Sequence, residues 1–466
     1  MSRRRSRRQR LPSEPINVSI ESLSHEGRGV GHVDGKVVFV AGALAGEQVS
    51  ARYVRRRSQL DELLTEQVEV AADERVEPPC EYAGICGGCS LQHLATDAQI
   101  EFKEQVLLEH LRNATALQPG QFELLPRVTG ETRHYRRKAR LAVRVVEKKG
   151  GALVGFREKY STFITDMQNC QVLVSDVAAL IAPLREMINS LNGRHQIPQI
   201  EVAVGERDAA AESDTDSDMD SGMQTALVFR HLEALDAQDL ATLTTFAERH
   251  DFHLYLQPGG NDTVHRVYPP PEESPARLRY WLPEQSVELL FHPMDFTQVN
   301  GPINRQIVTR VLDLLQLDAN DRVLDLFCGL GNFTLPLARR VGSVTGIEGS
   351  TDMVARGAEN ARHNRLDNAD FAAADLSKPI IGHDWAQRSY DKIILDPPRS
   401  GAQEIIADVA GLGAGRIAYV SCNPITLARD AALLLEKGYQ LKSAGVMDMF
   451  PHTNHVESMA IFERSA

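Results

Sequence analysis

The sequence predicts an α/β protein: a Rossmann-like, mostly parallel sheet at the C-terminal end, an OB-like β-barrel at the N-terminal end, and an α+β region between them. Three observations carry this. Beyond residue 300, short apolar runs alternate with amphipathic stretches of helical length, the pattern of a doubly wound sheet. Residues 15–72 hold short alternating runs parted by glycine turns, the size of an oligonucleotide-binding barrel. The middle of the chain mixes both periods.

Residues 1–13 read as a disordered basic arm, because six arginines crowd the first ten positions. The barrel is expected over 14–73. Its strands fall at 16–20, 36–40 and 48–54, and Asp34-Gly35 between two apolar runs signals a hairpin. A central domain follows over 74–283. Ile100, Val106, Leu107 and Leu111 stand at helical spacing and predict a helix over 97–114. Strands are expected at 138–146 and 152–156, and a helix at 172–192. Strands at 224–230 and 252–256 flank a helix at 235–250. Residues 208–222 are acidic and of low complexity, and predict a disordered surface loop. Prolines crowd 269–283, which reads as a linker.

The last domain is expected over 284–466. A helix begins at Pro302 with proline in its first turn. Strands at 322–327, 343–347, 369–373, 391–395 and 416–421 alternate with helices at 332–340, 351–364, 402–411 and 424–437. A hairpin of 441–447 and 455–463 closes the sheet.

The chain has 466 residues and a formal net charge of −12, enough for two to four domains. No run approaches the ~20 apolar residues of a membrane helix. The arginine arm lacks the apolar core of a secretory signal, so a cytoplasmic protein is expected. Basic runs at Arg52 and Arg55 to Arg57, and at Arg133, Arg136, Arg137, Lys138 and Arg140, join the arm on an acidic protein. Three such patches point to a polyanion, and so to nucleic acid.

Residues 323–333 read Val-Leu-Asp-Leu-Phe-Cys-Gly-Leu-Gly-Asn-Phe. Gly329 and Gly331 follow the first strand, where glycine lets the backbone turn tightly against a ligand. Thr334 breaks the Gly-x-Gly-x-x-Gly spacing of dinucleotide enzymes, which disfavours NAD. Phe327 and Asn332 belong to the loop itself. Glu348 ends the second strand, where a carboxylate accepts both ribose hydroxyls. Asp375 ends the third, in reach of an adenine amino group. With Asp396-Pro397-Pro398 after the next strand, the set points to S-adenosylmethionine.

Cys422 stands in Ser421-Cys422-Asn423-Pro424, at the mouth of the following strand. A thiolate there suits addition to C6 of a pyrimidine, which makes C5 nucleophilic towards a sulfonium methyl group. A base must then remove the C5 proton. Glu457, at the start of the last strand, is the candidate. By itself each residue has a plainer reading, a small buried thiol and a solvated hairpin carboxylate. Asp396 and Arg399 are placed to meet the pyrimidine edge and a phosphate.

Six cysteines occur. Cys80, Cys86 and Cys89 cluster among glycines, and Cys170 stands far along the chain. A metal site is expected rather than disulfides. The spacing fits a four-cysteine iron–sulfur cluster at least as well as zinc.

These motifs, with Phe296-Thr297-Gln298-Val299-Asn300 and His455-Val456-Glu457, resemble the class I RNA uracil-C5 methyltransferases over nearly the whole chain. The resemblance implies that the barrel is a TRAM domain, that Cys422 is the nucleophile and that Glu457 is the base. It implies that Gln298, Phe327, Asn332, Glu348, Asp375 and Asp396 line the S-adenosylmethionine pocket. It implies that Cys80, Cys86, Cys89 and Cys170 hold a [4Fe-4S] cluster. The barrel and the cysteine set favour 23S ribosomal RNA over transfer RNA as substrate, and the resemblance implies uridine 1939 as the target. A monomer without an obligate protein partner or membrane is expected. The competing readings are a catalytically silent RNA-binding assembly factor and a cytosine-C5 enzyme. The Ser421-Cys422 context speaks against the second, which usually carries Pro-Cys. The acidic stretch at 208–222 is not part of the resemblance.

Overall fold

The computed structural model describes residues 11–207, 222–272 and 277–465. Most of the arginine arm and of the acidic stretch at 208–222 lies outside the described residues. The chain divides into two compact units, each drawn from three separate segments.

The first unit comprises the described residues up to Glu101 together with Phe156–Thr165 and Pro451–Asn454. Its sheet runs in the order Ile16–Ser19, Gln48–Arg56, Leu60–Val70, Lys36–Ala41, Gly29–Val33, Ser22–Leu23. Ile16–Ser19 pairs with one end of that order and Ser22–Leu23 with the other. The first strand therefore bends across a gap and closes a five-stranded barrel. Gly31 lies at that crossing, where a Cβ would stand 2.4 Å from the Ser19 carbonyl oxygen. Asp34 (φ 51°) and Gly35 (φ 77°) form the hairpin turn the sequence signalled, with both central residues left-handed. Val18, Val38, Val40, Val49 and Leu63 fill the barrel.

The second unit holds two large sheets. One has the order His265–Tyr268, Phe252–Gln257, Met223–Arg230, Gln199–Glu206, Lys138–Val146, Gly151–Gly155, with helices Ser175–Ser190 and Ala237–Arg249 packed on it. Gln199–Glu206 carries no signal of its own in the sequence. It is buried on both faces, so its pattern does not alternate. The expected linker at 269–283 is a hairpin in part: Leu278–Leu282 pairs antiparallel with Val287–Phe291. Pro283 starts the turn between the two strands, and Leu278, Leu282, Val287, Leu289 and Phe291 are buried.

The other sheet has the order Ala369–Ala373, Ser343–Glu348, Arg322–Leu326, Lys392–Leu395, Arg416–Ser421, Glu457–Arg464, Tyr439–Met447, Glu123–Leu124. The first five strands are parallel. Glu457–Arg464 runs antiparallel between Arg416–Ser421 and Tyr439–Met447. Strand order reverses at Arg322–Leu326, which opens a crevice at the carboxyl ends of the strands. Asn300, Ser350 and Asn423 cap the helices Gly301–Leu314, Thr351–His363 and Pro424–Glu436, each accepting from a first-turn N–H.

The ring of Phe371 is wedged among three glycines of this sheet and its helices. Added Cβ atoms would meet it at 2.4 Å from Gly357, 3.0 Å from Gly346 and 3.3 Å from Gly331. Alanine at 357 should gain about 1 kcal/mol of helix propensity and lose about 1–3 kcal/mol to overpacking. Gly357→Ala is therefore expected to lower the melting temperature. The double variant Gly357→Ala/Phe371→Leu should recover most of the loss, as read by thermal denaturation.

Candidate active site

The strand Arg322–Leu326 delivers the glycine loop into the crevice. Phe327 (φ 64°), Gly329 (φ 55°) and Gly331 (φ 100°) all take left-handed backbone, so the chain reverses within five residues. This aims the Gly329 N–H at Glu348, whose Oε2 accepts it at 3.2 Å, while Oε1 accepts from Ser350 N–H at 3.0 Å. The carboxylate is thus fixed at the end of its strand, with lone pairs left for a diol.

Asp375, two residues beyond Ala373, is exposed and accepts from the Ser377 N–H and hydroxyl. Lys378 and Ser377 pull its carboxyl down to about 2. Asn332 exchanges hydrogen bonds with Asn304 at 2.9 and 3.0 Å and accepts from the Tyr280 hydroxyl at 3.0 Å. Gln298 lines a cavity of about 20 Å³ with Tyr280, Gly301 and Asn304. Lys138 donates to the Pro293 carbonyl at 2.7 Å and to that of Asp295, which ties down the approach to this loop.

Asp325 is fully buried behind the loop. Its Oδ2 accepts from the Thr334 hydroxyl at 2.6 Å, and its Oδ1 has no hydrogen-bond partner among the described residues. Burial, reinforced by Asp396 and Glu348, pushes its carboxyl up to about 7. An orphaned carboxylate oxygen beside a glycine loop fits a cationic or hydrogen-bonding ligand.

Cys422 follows the strand Arg416–Ser421, and Glu457 opens the strand paired with it. Ser421 faces Ser458 in that antiparallel register, so the residue after one strand meets the residue that begins the other. Both side chains are half-buried. Asn423 keeps the turn rigid. Its Oδ1 caps Ile425 N–H at 3.1 Å, and its Nδ2 donates to the Arg399 carbonyl at 2.9 Å.

The Asp396–Ala402 loop is fastened from behind. Asp430 is fully buried, and its Oδ2 accepts from Ala402 N–H at 2.7 Å and the Tyr419 hydroxyl at 2.6 Å. The Arg399 guanidinium donates to His455 Nδ1 at 2.8 Å. Burial, then Arg399, Lys103 and Arg136, press His455 down to about 4, so it is a neutral acceptor.

The acids here share one environment. Burial first and Glu457 second push Asp396 up to about 8. Burial pushes Glu457 up to about 7, against Lys103 and Arg399. Burial, then Glu457 and Asp396, push the Cys422 thiol up to about 11, with Arg399 opposing. Buried together, these three groups hold their protons more tightly than free side chains do, and positive charge nearby opposes this.

Of the sequence-predicted residues, Cys422, Glu457 and Asp396 lie within electrostatic reach of one another. Glu348 and the glycine loop are directly bonded, and Asn332 connects through Asn304 to the Gln298 cavity. The basic run at 133–140 is divided: Arg133 and Arg140 are exposed, and the others are engaged within the fold. Arg137 pairs with Glu206, Arg140 with Glu201, and Lys138 is spent on carbonyls. Asn304, Tyr280, Asp430 and Lys103 were not legible as site residues, since each acts through a contact distant in sequence.

No disulfide joins the six cysteines. Cys80, Cys86 and Cys89 belong to the first unit and Cys170 to the second. Among the described residues no group of three or more His, Cys, Asp or Glu side chains is gathered as a metal site. Locally, the Gly88 N–H points at Cys86 Sγ at 3.4 Å, and Cβ atoms at Gly87 and Gly88 would crowd Arg157 O at 2.9 Å and the Phe156 ring at 3.1 Å. The Lys159 ammonium lies within electrostatic reach of Cys89 and Cys86. Glycine backbone, an N–H···S contact and a nearby cation fit thiolate ligands.

Comparison with known proteins shows the family and the fold. The sequence signature of the tRNA (Uracil-5-)-methyltransferase family matches residues 283–465, and that of the TRAM domain residues 9–53. The 23S rRNA (uracil(1939)-C(5))-methyltransferase RlmD of Hahella chejuensis is 50% identical over 464 residues, covering 98% of this chain and 99% of that one. The protein of the same name from Alcanivorax borkumensis is 48% identical over 458 residues, covering 98% of each. The fold is similar to that of the Pyrococcus abyssi tRNA (uracil-54, C5)-methyltransferase, solved in complex with S-adenosyl-L-homocysteine. That match has a TM-score of 0.71 and 24% identity, covering 96% of this chain and 99% of the other.

Asp396 binds its proton more tightly in the fold than the ordinary carboxyl it becomes on unfolding. Its contribution is therefore most favourable below the ordinary value near 4 and is lost as pH rises towards about 8. Asp396→Asn is expected to stabilise the ligand-free protein at about pH 8, by on the order of 1–3 kcal/mol, and to do little at about pH 4. Melting curves at the two pH values check this.

Proposed function

The chain belongs to the RNA uracil-C5 methyltransferases of the 23S rRNA (uracil(1939)-C(5)) type, and from that premise we propose that it methylates C5 of that uridine with S-adenosylmethionine. The observation that carries the residue roles is the strand register that sets Cys422 beside Glu457, on the sheet edge that also bears the Glu348 loop.

Glu348 would hold the ribose hydroxyls, Asp375 the adenine edge, and the Asn332–Asn304–Gln298 side the rest of the cofactor. Phe327 would pack against it from the loop, and Asp325 stands behind. Bound S-adenosylmethionine supplies the methyl electrophile and a sulfonium charge that favours ionised acids around it.

The Cys422 thiolate adds to C6 of the extruded uracil, and the ring electrons gather at C5 and O4. Asp396, protonated up to about pH 8, donates to a ring carbonyl and bears part of that charge. His455 orients Arg399 for the same face. Once C5 carries its methyl group, the Glu457 carboxylate takes the C5 proton. The C5=C6 bond re-forms, and the C6–S bond breaks to return the thiolate.

Cys80, Cys86, Cys89 and Cys170 are proposed to hold a [4Fe-4S] cluster, supported by the thiolate-fitting loop geometry of Cys86 and its neighbours. Such a cluster would brace the fold around the RNA-binding barrel. No helix of the described residues is long and apolar enough to cross a membrane. We place the reaction on 23S rRNA in the cytoplasm.

Cys422→Ala is expected to keep RNA affinity, to form no covalent protein–RNA adduct and to lose turnover by on the order of 10³-fold or more. Turnover by that variant within about tenfold of the wild type would remove Cys422 from the mechanism. Glu457→Gln should accumulate the methylated adduct, visible as a slow-migrating band in denaturing gels. Mass spectrometry of 23S and transfer RNA after incubation with labelled S-adenosylmethionine fixes the substrate: label in transfer RNA alone would keep the chemistry and move the target.

A further inference from the structure

Lys103 is completely buried on the helix Thr96–Thr115. An ammonium group there is costly to desolvate, and an apolar residue would serve packing as well. Its Nζ donates to Asp448 Oδ1 at 2.6 Å and to the Phe450 carbonyl at 2.9 Å. Asp448 is itself buried and directly follows Met447, the residue paired with Glu457 across the hairpin. The ion pair therefore sits at the open end of the hairpin that begins with the proposed base.

Glu457 faces charge from each element around it. Cys422 lies on the adjoining strand end, and Asp396 and Arg399 on the loop after Lys392–Leu395. Lys103 comes from the helix, and His455 and Asp448 from its own hairpin. Two of these are basic side chains, Arg399 and Lys103. Arg399 is exposed and engaged with His455, so solvent and RNA phosphate both weaken its hold on Glu457. Lys103 is dry, held by Asp448, and unable to swing away.

We propose that the buried Lys103–Asp448 pair is a positioning element that keeps Glu457 ionised, and so sets the pH above which the C5 proton can be removed. This rests on Glu457 being the base. Burial drives Glu457 up to about 7, and Lys103 is the foremost group pulling it back. Burial also drives Lys103 down, and Asp448 is the foremost group holding it up. Asp448 thus keeps the lysine charged, and the lysine keeps the glutamate charged. Without the lysine, Glu457 should bind its proton to higher pH, and less carboxylate is present at neutrality.

The test follows single-turnover release of 5-methyluridine RNA from the covalent adduct as a function of pH, using the full chain, a 23S rRNA transcript and S-adenosylmethionine. In Lys103→Met/Asp448→Leu, which removes both buried charges together, the rising limb should move about one pH unit to the alkaline side. Release at about pH 6.5 would then be roughly tenfold slower and recover near pH 9. Lys103→Arg, which keeps the charge, should keep the limb. Asp448→Asn, which leaves the lysine without its counter-charge, should shift it in the same direction as the double variant. A double variant that melts cooperatively and shows the wild-type limb overturns the proposal, as does a rate loss equal at every pH. If the double variant does not fold, an unshifted limb in Asp448→Asn overturns it. Wild-type release by Glu457→Gln would instead overturn the base assignment beneath it.

Discussion

The antiparallel insertion of Glu457–Arg464 between Arg416–Ser421 and Tyr439–Met447 is the constraint from which the site follows. Five parallel strands present their carboxyl ends to one crevice, and a sixth parallel strand would present only another carboxyl end. The reversed strand instead presents its first residue there. A slip of one residue would turn Glu457 to the opposite face of the sheet and separate it from Cys422. The buried pairs Ile417↔Phe462 and Tyr419↔Ala460 make such a slip expensive, because each side chain would leave its own layer of the core.

The loops around that strand are fixed by groups that never need to touch a substrate. Asp430 gathers Tyr419 and Ala402, and Asn423 fastens the Arg399 backbone. Gly401 (φ 79°) lies so close to Arg429 and Asp430 that a Cβ would stand 2.4 and 2.7 Å from them. The loop carrying Asp396 and Arg399 is thus packed against the helix that starts just after Cys422. Preorganisation of this kind places charge before the ring arrives.

Much of this was legible in the chain. The alternation beyond residue 300 located nearly every strand of the C-terminal sheet, since parallel strands buried on both faces read as unbroken apolar runs between helices. Glu348 was readable because it ends a strand at a fixed distance from the glycine loop. The pairing of Glu457 with Cys422 was not derivable from spacing. Thirty-five residues separate them, and only the hairpin register joins them. Asn304 and Tyr280 were invisible because their role is to satisfy Asn332 across the fold. The run at 133–140 was legible only in part, for the opposite reason: Arg133 and Arg140 are exposed, whereas Arg137 and Lys138 are engaged within the fold. Charge in a sequence does not reveal whether its partner is solvent, phosphate or a buried carboxylate such as Glu206.

Pro451–Asn454 belongs to the first unit, although it lies between Asp448 and Glu457 in the chain. The His452 N–H donates to Gln99 Oε1 at 2.8 Å, its carbonyl accepts from Ser90 and Leu91, and Asn454 N–H donates to the Ser90 hydroxyl. The first unit is therefore unfinished until residues 451–454 have been made. A ribosome releasing this chain must leave residues 11–101 waiting for four residues more than three hundred positions downstream. Exchange of the N-terminal portion by recombination would orphan those four residues, so residues 11–101 and the segment 451–454 are expected to be inherited together rather than shuffled as separate modules.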